Sequence, residues 1–559
     1  MKMLRASTSA AIQTTAAAAL ASVAGYGTYL YNTDEGTRRA FKAYRMMVPA
    51  VLEYRFLEAQ SKVREVAAEE WLALDQKHAA PVVARLGELQ GMYTKYGQTS
   101  AGLTNTFSDA WIQQLRKLED KVPPRTSDVV IRTIEEETGK PIGETFCEFD
   151  ETPLGSASIG QVHRARLKAD GREVAVKVQY PESEATFRTD ITAIRDFCSY
   201  LAPEHLVTLN ALEKQNAGEI NYIKEANNLI EVGKNMEEAG FQPREAVVPK
   251  ALPELSTRRM LVMELLPGPK LNDGIRSYYS SWALKNGTTI EKLEAEAKKK
   301  IEEEGIPAKY DGPSAQQIES YLKFLLRKDY LINSSITIYN WTLGQFLKKI
   351  DYREPTEAPP NTPRIIDTLM RVHGHQLLKN GVFNADPHGG NFLLLPDGRI
   401  GLIDYGATKR LTEKERITAC VLYAALQRND EDMLYNMSTI GGYKSKYNRK
   451  DVLMKLMQFA YNSYGKDVTG DKNIQQFIDD LKAKDPWEET PDNYVMASFM
   501  SIRLRSVAIG INHPVKCSEW WGPMAEKILE EEGHPYESWD YDKLVENKPE
   551  LNIFKQKWN

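Results

Sequence analysis

Asn384-Ala-Asp-Pro-His-Gly-Gly-Asn391, followed shortly by Leu402-Ile-Asp-Tyr-Gly406, decides how this chain is read. Asp386 and Asn391 stand five positions apart, and Asp404 follows Asp386 by eighteen. Between them, residues 392–403 alternate as a β-hairpin that turns at Pro396-Asp397-Gly398. Two carboxylates and an amide oxygen are hard donors of the kind that hold Mg2+ against a polyphosphate. A carboxylate beside the reacting phosphate can orient a nucleophile or take its proton. Each piece is weak alone, because Asp-x-Gly is a common turn and Asp-Pro-His-Gly-Gly is also a plain loop sequence. The joint spacing is what gives the pieces weight.

A second signal stands upstream. Gly155-Ser156-Ala157-Ser158-Ile-Gly160-Gln-Val162 is a glycine-bounded hairpin, and Lys177 follows in Val174-Ala-Val-Lys177. Glycines let backbone amides close over phosphate oxygens, and lysine adds a point charge. A glycine-rich turn or a strand lysine is ordinary by itself. Joined to the downstream set, these parts match the glycine loop, strand lysine, catalytic loop and Asp-x-Gly of protein kinases. The match assigns ATP and Mg2+ as cofactors. Gly155, Ser156, Ala157, Ser158, Gly160 and Val162 are expected over the phosphates with Lys177, Asp386 at the nucleophile, and Asn391 and Asp404 on the metal. Adenine is expected at the connection between lobes, near Glu264 and Leu265. Ala157 replaces the middle glycine of the loop, and its methyl restricts the backbone where phosphate would lie. No Ala-Pro-Glu follows Asp404, the one at 202–204 being on the wrong side, so an ordinary protein-substrate platform is not evident.

Bulk properties narrow the class. The chain of 559 residues, 42% hydrophobic and 27% charged, has the balance of a folded protein with room for more than one compact unit. A net charge of −5 argues against a nucleic-acid partner. The four cysteines are far apart and form neither a disulfide framework nor a zinc site. His373 and His375 lack the further ligands a metal site needs, and His388 reads as structural or phosphate-adjacent.

After Lys2 and Arg5 no charge appears from Ala6 to Thr33, and the stretch is rich in Ala, Ser and Thr. It reads as an organelle-targeting segment with a marginal membrane span, ahead of a secretory signal or a floppy soluble tail. Residues 34–145 read as a helical extension and 146–266 as a β-rich lobe. Residues 267–362 read as an irregular polar insertion holding one charged, solvated helix, Ile290–Glu304, and a proline cluster at 355–363, with a partner-docking or regulatory insertion as the alternative. The remainder, 363–559, reads as a helical lobe.

Lys95-Tyr-Gly-Gln98, the alanine-bearing loop, Glu219 to Glu225, Asn384-Ala-Asp386 and Asp404-Tyr-Gly406 together resemble the UbiB family, also called aarF-domain-containing kinases. The resemblance runs from about residue 85 to beyond 410. It implies an α+β fold: a bilobal protein-kinase-like body with a helical N-terminal extension and a helical C-lobe. It places Lys95 and Gln98 in the active site, makes Glu225 the helix carboxylate paired with Lys177, and puts Glu219 in a Glu-x-Asp motif. Asn221 stands where that motif has Asp, and Asn384 where relatives usually have His or Gln, so the charge expected at the first position is missing. The resemblance further implies an ATPase, or a kinase toward a small or lipidic acceptor, in coenzyme Q or lipid homeostasis. Membrane, lipid or quinone are the implied partners, at the inner membrane of mitochondria as in fungal members. A nucleotide-binding scaffold or regulator of lipid or quinone transport is the alternative. Protein partners are not indicated.

Overall fold

A computed structural model describes residues 28–101, 108–115, 117–120, 124–157, 159–201, 206, 209–210, 213, 220–470, 472, 474–489 and 492–539. Ser158, Glu219 and most of the proposed targeting segment lie outside the described residues. Contacts divide the chain into two compact units, residues 1–221 with 257–260, and residues 222–256 with 261–559.

In the first unit the expected helical extension forms. Asp34 caps the helix Glu35–Ser61 by accepting from the Thr37 N–H, which satisfies an amide the first turn leaves open. Ala68–Leu89 and Gly91–Ala101 follow, and their apolar stripes pack with the helix Ser183–Leu201 around Val82, Leu86, Tyr93, Phe187 and Ile191. One ion pair ties this core together. Arg39 reaches both carboxylate oxygens of Asp190 at 2.9 and 2.7 Å and also donates to the Leu89 carbonyl. Burial pushes the Asp190 carboxyl up, against the opposing pull of Arg39, so this aspartate depends on its partner to stay charged. The β-type pattern from Phe146 becomes a sheet in which β1 (Phe146–Phe149), β3 (Gly160–Leu167) and β4 (Glu173–Gln179) lie side by side, with β2 (Gly155–Ser156) also on β3.

The second unit opens with the helix Tyr222–Glu238 and carries three small sheets, one of them the pairing of Lys444–Ser445 with Trp487–Glu489. Strand β5 (Ala246–Val247) runs parallel to β9 (Ile400–Leu402), which pairs antiparallel with β8 (Phe392–Leu394). Strand β6 (Met260–Glu264) enters this unit at Leu261, and the chain turns three residues past its end at Pro267-Gly268. Gly268 has φ +134°, and a Cβ there would meet the Leu394 carbonyl oxygen at 2.3 Å, so only glycine fits the turn. Strands β7 (Val382–Asn384) and β10 (Thr408–Arg410) pair antiparallel. The charged run Ile290–Glu304 is a helix with no buried residue, as its composition implies. The rest of 267–362 departs from the irregular reading: Leu271–Lys285 and Ala315–Trp341 are helices. Their many exposed apolar residues masked the helical period.

The helix Thr362–His375 packs on Cys517–Glu531, where a Cβ on Gly374 would strike the Trp521 ring at 2.5 Å. His373 is enclosed, its Nδ1 2.8 Å from the Leu369 carbonyl and its ring edge-on to Phe392. Burial pushes its imidazole down to about 4. The unfolded chain takes up this proton near 6.5 and the folded chain does not, so the stabilisation is complete above 6.5 and is lost as pH falls toward 4. His373→Gln is expected to flatten the pH dependence of the urea midpoint between pH 7 and 5 by about 2 kcal/mol. An unchanged slope would contradict the buried, neutral imidazole.

Among the described residues no helix is long and apolar enough to cross a membrane, and no cluster of His, Cys, Asp and Glu fits a metal ion. No cysteine is in a disulfide.

Candidate functional site

The first unit carries the phosphate-loop candidates. Gly155 faces Val162 and Ser156 faces Gln161 across β2 and β3, which narrows the hairpin to a tip around Ala157. The Ala157 N–H donates to the Gly160 carbonyl at 2.8 Å, and the Ser156 hydroxyl lies 3.0 Å from the Tyr180 hydroxyl. The tip thus bonds to itself, with the Ala157 amide directed at a carbonyl of the same loop. Lys177 is half-buried on β4, opposite Val162, and its strand neighbours Val176 and Val178 are buried. Alternation along the strand sets its side chain on the face opposite those two.

The helix Gly91–Ala101 carries Lys95 and Gln98. Lys95 is half-buried, and the Gln98 amide donates to the Leu118 carbonyl at 2.8 Å. A Cβ on Gly97 would meet the Leu118 side chain at 2.4 Å. Gly97 and Gln98 therefore seat their helix on the segment around Leu118, a local task the resemblance did not supply.

In the second unit Asp386, Asn391 and Asp404 belong to one hydrogen-bonded loop pair. Asn384 joins its two halves. Its amide nitrogen donates to the Asp404 carbonyl at 2.7 Å, and its amide oxygen accepts the Asp386 N–H at 2.8 Å. A side chain with both a donor and an acceptor is what that bridge requires, so the departure at Asn384 keeps the geometry. The Asn391 amide nitrogen donates to the Asp386 carbonyl at 3.1 Å, which assigns its donor end and directs its oxygen elsewhere. One Asp404 carboxylate oxygen accepts the Gly406 N–H at 3.0 Å. Tyr405 is buried, its hydroxyl accepting from Gln376 and its carbonyl from Asn228, which clamps the Asp-Tyr-Gly turn from behind. His388 is exposed and accepts the Gly390 N–H through Nδ1, a loop-capping role.

Arg503 was not singled out by the sequence. It comes from the helix Asp492–Gly510, and its Nε lies 3.2 Å from an Asp386 carboxylate oxygen. Two residues on, Arg505 is 1% exposed and donates to the carbonyls of Phe459, Ala460 and Ser501 at 2.7, 2.6 and 3.1 Å. Its guanidinium also covers the Tyr464 ring at 4.0 Å. The readable signal was present: from Tyr494 to Gly510 these arginines are the sole charges in an otherwise uncharged run.

Glu225 lies on the inward face of Tyr222–Glu238 with Ala226, Leu229 and Val232, at 1% exposure. It is thus not the exposed helix carboxylate that its residue type usually gives, since a buried carboxylate needs a charged or hydrogen-bonding partner. Asn221, just before this helix, is half-buried. Leu265 is half-buried after β6, and Glu264 sits at the strand end, its N–H donating to the Lys250 carbonyl at 2.9 Å.

A glycine hairpin, a strand lysine and an Asn-Ala-Asp loop locked to Asp-Tyr-Gly define the class: a protein-kinase-like α+β protein. The model of the ABC1 atypical kinase-like domain matches residues 117–303 and 329–438. The chain belongs to that family, the ABC1 or UbiB/AarF atypical kinases. AarF domain-containing protein kinase 1 of Gallus gallus is 30% identical over 433 residues, covering 74% of this chain and 67% of the relative. The Mus musculus protein of the same name is 27% identical over 434 residues, with the same coverage. Probable protein kinase UbiB of Shewanella loihica is 34% identical over 194 residues, 33% of this chain and 35% of its own. Among solved structures, Rv3197 of Mycobacterium tuberculosis in complex with erythromycin aligns over 82% of this chain and 100% of its own, at TM-score 0.39 and 20% identity.

Proposed function

We propose that the chain is an atypical kinase-like enzyme that binds ATP with Mg2+ and transfers the terminal phosphate to water or to a small or lipidic acceptor. The observation that carries this reading is the single hydrogen-bonded loop pair holding Asp386, Asn391 and Asp404. The donor set suits the metal. The Asn391 oxygen and the Asp404 carboxylate are hard ligands on an already ordered backbone. Bound there, Mg2+ would neutralise charge on the phosphates. Lys177 and the amides of Gly155, Ser156 and Gly160 would hold phosphate oxygens, and Glu225 is the helix carboxylate to which the family resemblance gives a part in the site. Glu264 would meet adenine through its carbonyl, because its N–H is engaged by Lys250. Asp386 would orient the acceptor hydroxyl, with Arg503 fixing its carboxylate.

By extension from the family resemblance we place this activity in lipid or coenzyme Q homeostasis at the mitochondrial inner membrane. Lys95, Gln98 and Glu219 would contribute from the family motifs. A scaffold with little turnover is the second reading, favoured by the self-bonded Ala157 tip and the Arg503 charge on Asp386.

The deciding measurement is Mg2+-dependent ATP hydrolysis by the full chain, with and without lipid membranes, beside Asp386→Asn. Turnover that falls at least about a hundredfold in the variant supports the enzyme. Nucleotide binding without hydrolysis under any condition supports the scaffold. A fluorescent full-length fusion that stays in the cytosol would remove the mitochondrial part.

A further inference from the structure

The helix Ala315–Trp341 and the chain returning from it form a stapled finger. The Asn333 side chain donates to the Arg353 carbonyl and accepts the Arg353 N–H, at 3.0 and 2.8 Å. Asn340, two turns later on the same helix face, does the same to Ile350 at 2.7 and 2.8 Å. Asp329 closes the base by accepting both the N–H and the hydroxyl of Thr356. Three side chains thus bind the returning segment to the helix, which fixes the finger from its base to Asn340.

What the finger displays is unusual for an ordered surface. From Tyr330 to Leu347 there are eighteen residues and no charge. Trp341 is 82% and Phe346 88% exposed, and Leu331, Ile338, Leu343 and Leu347 stand out beside them. An apolar surface of this extent marks an interaction site. Positive charge brackets the uncharged tip. Lys323, Arg327 and Lys328 precede it and Lys348, Lys349 and Arg353 follow it, against Asp329 and Asp351. Asp329 is occupied at the base, and neither Lys348 nor Lys349 is in an ion pair among the described residues. Residues 323–353 carry +4, with Glu319 on Lys323 and Glu354 just outside, so among the described residues the unpaired positive charge nearest the tip is Lys348 and Lys349.

We propose that this finger inserts its tip into the interfacial layer of an anionic lipid bilayer, with Trp341, Phe346 and Leu347 among the acyl chains and Lys348 and Lys349 at the phosphates. Tryptophan beside lysine is the composition that partitions to that layer. The tip is too weakly apolar and the helix too polar to span, in keeping with the lack of a spanning helix among the described residues. A groove on a protein would explain exposed aromatics but not a basic collar around an uncharged tip.

The test uses the full chain carrying Cys147→Ser, since Cys147 is the exposed cysteine and the other three are buried. An environment-sensitive dye is placed by Phe346→Cys, and by Glu303→Cys on the charged helix as control. Vesicles of phosphatidylcholine with roughly one third phosphatidylserine are expected to shift the 346 dye to the blue and leave the 303 dye unchanged. Lys348→Ala with Lys349→Ala is expected to weaken sedimentation with these vesicles roughly thirtyfold at low salt. A dye at 346 that stays in water, whether or not the chain sediments, overturns the proposal and makes the finger a protein-docking surface. Asp404→Asn is expected to leave the shift intact, so failure of the nucleotide reading and failure of this one are distinguishable.

Discussion

Asp404→Asn is expected to lower Mg2+-dependent ATP turnover by about a thousandfold while the protein stays folded. The amide oxygen can still accept the Gly406 N–H, and the Asp404 carbonyl that receives Asn384 is backbone. The turn should therefore persist, with an unchanged thermal midpoint. On the proposed reading, what disappears is one negative charge that would hold Mg2+, an electrostatic loss of about 4 kcal/mol in a site that would work by charge neutralisation. Binding of nucleotide measured in EDTA should change little, because that binding does not call on the metal. Wild-type-like turnover in the variant would sink the assignment of Asp404 as a metal ligand.

Arg505→Leu is expected to destabilise the second unit by about 4 kcal/mol. The guanidinium satisfies three carbonyls, Phe459, Ala460 and Ser501, in a dry environment, and stacks on Tyr464. Leucine fills part of the volume, leaves the buried Phe459 carbonyl without its donor and Ala460 with only the Ser501 hydroxyl, and removes the cover over Tyr464, at about 1–3 kcal/mol for each lost buried contact. Arg505→Lys should recover only part of the loss, because a point charge cannot reproduce the planar fork. The measurement is a urea denaturation series on the three proteins. Arg505 also fixes the helix from which Arg503 reaches Asp386, so turnover should fall in Arg505→Leu even at temperatures where it remains folded. A midpoint within about 0.5 kcal/mol of wild type would show that water takes over the carbonyls.

The finger and the loop pair of Asp386, Asn391 and Asp404 belong to the same unit, and each rests on its own observations. The loops follow from hydrogen bonds that orient oxygen donors. The finger follows from exposed aromatics bracketed by lysines on a hairpin fixed by Asn333 and Asn340. Were both readings to hold, the protein would present a phosphate-transfer site and a lipid-seeking surface in one chain.

Spacing in the sequence already determined a great deal. That Asp386, Asn391 and Asp404 form one local unit was legible because a loop, a hairpin and an Asp-x-Gly turn are local features whose spacing survives in one dimension, and hydrogen bonds join them in the fold. The helical extension, the sheet from Phe146 and the β-hairpin at 396–398 followed from period and turn residues in the same way. The helices within 267–362 did not, because exposed Tyr330, Leu331, Ile338 and Trp341 blur the contrast between faces on which the helical period depends. Three things were decided only by tertiary structure. Asn384 looked like a departure until its amide proved to bridge Asp404 and Asp386. Gln98 proved to serve the Leu118 backbone. Arg503 reaches Asp386 across 117 positions of sequence, and Arg505 anchors its helix by bonds to carbonyls. Bridges of this kind depend on which backbone groups folding leaves without partners, and a linear sequence does not record that.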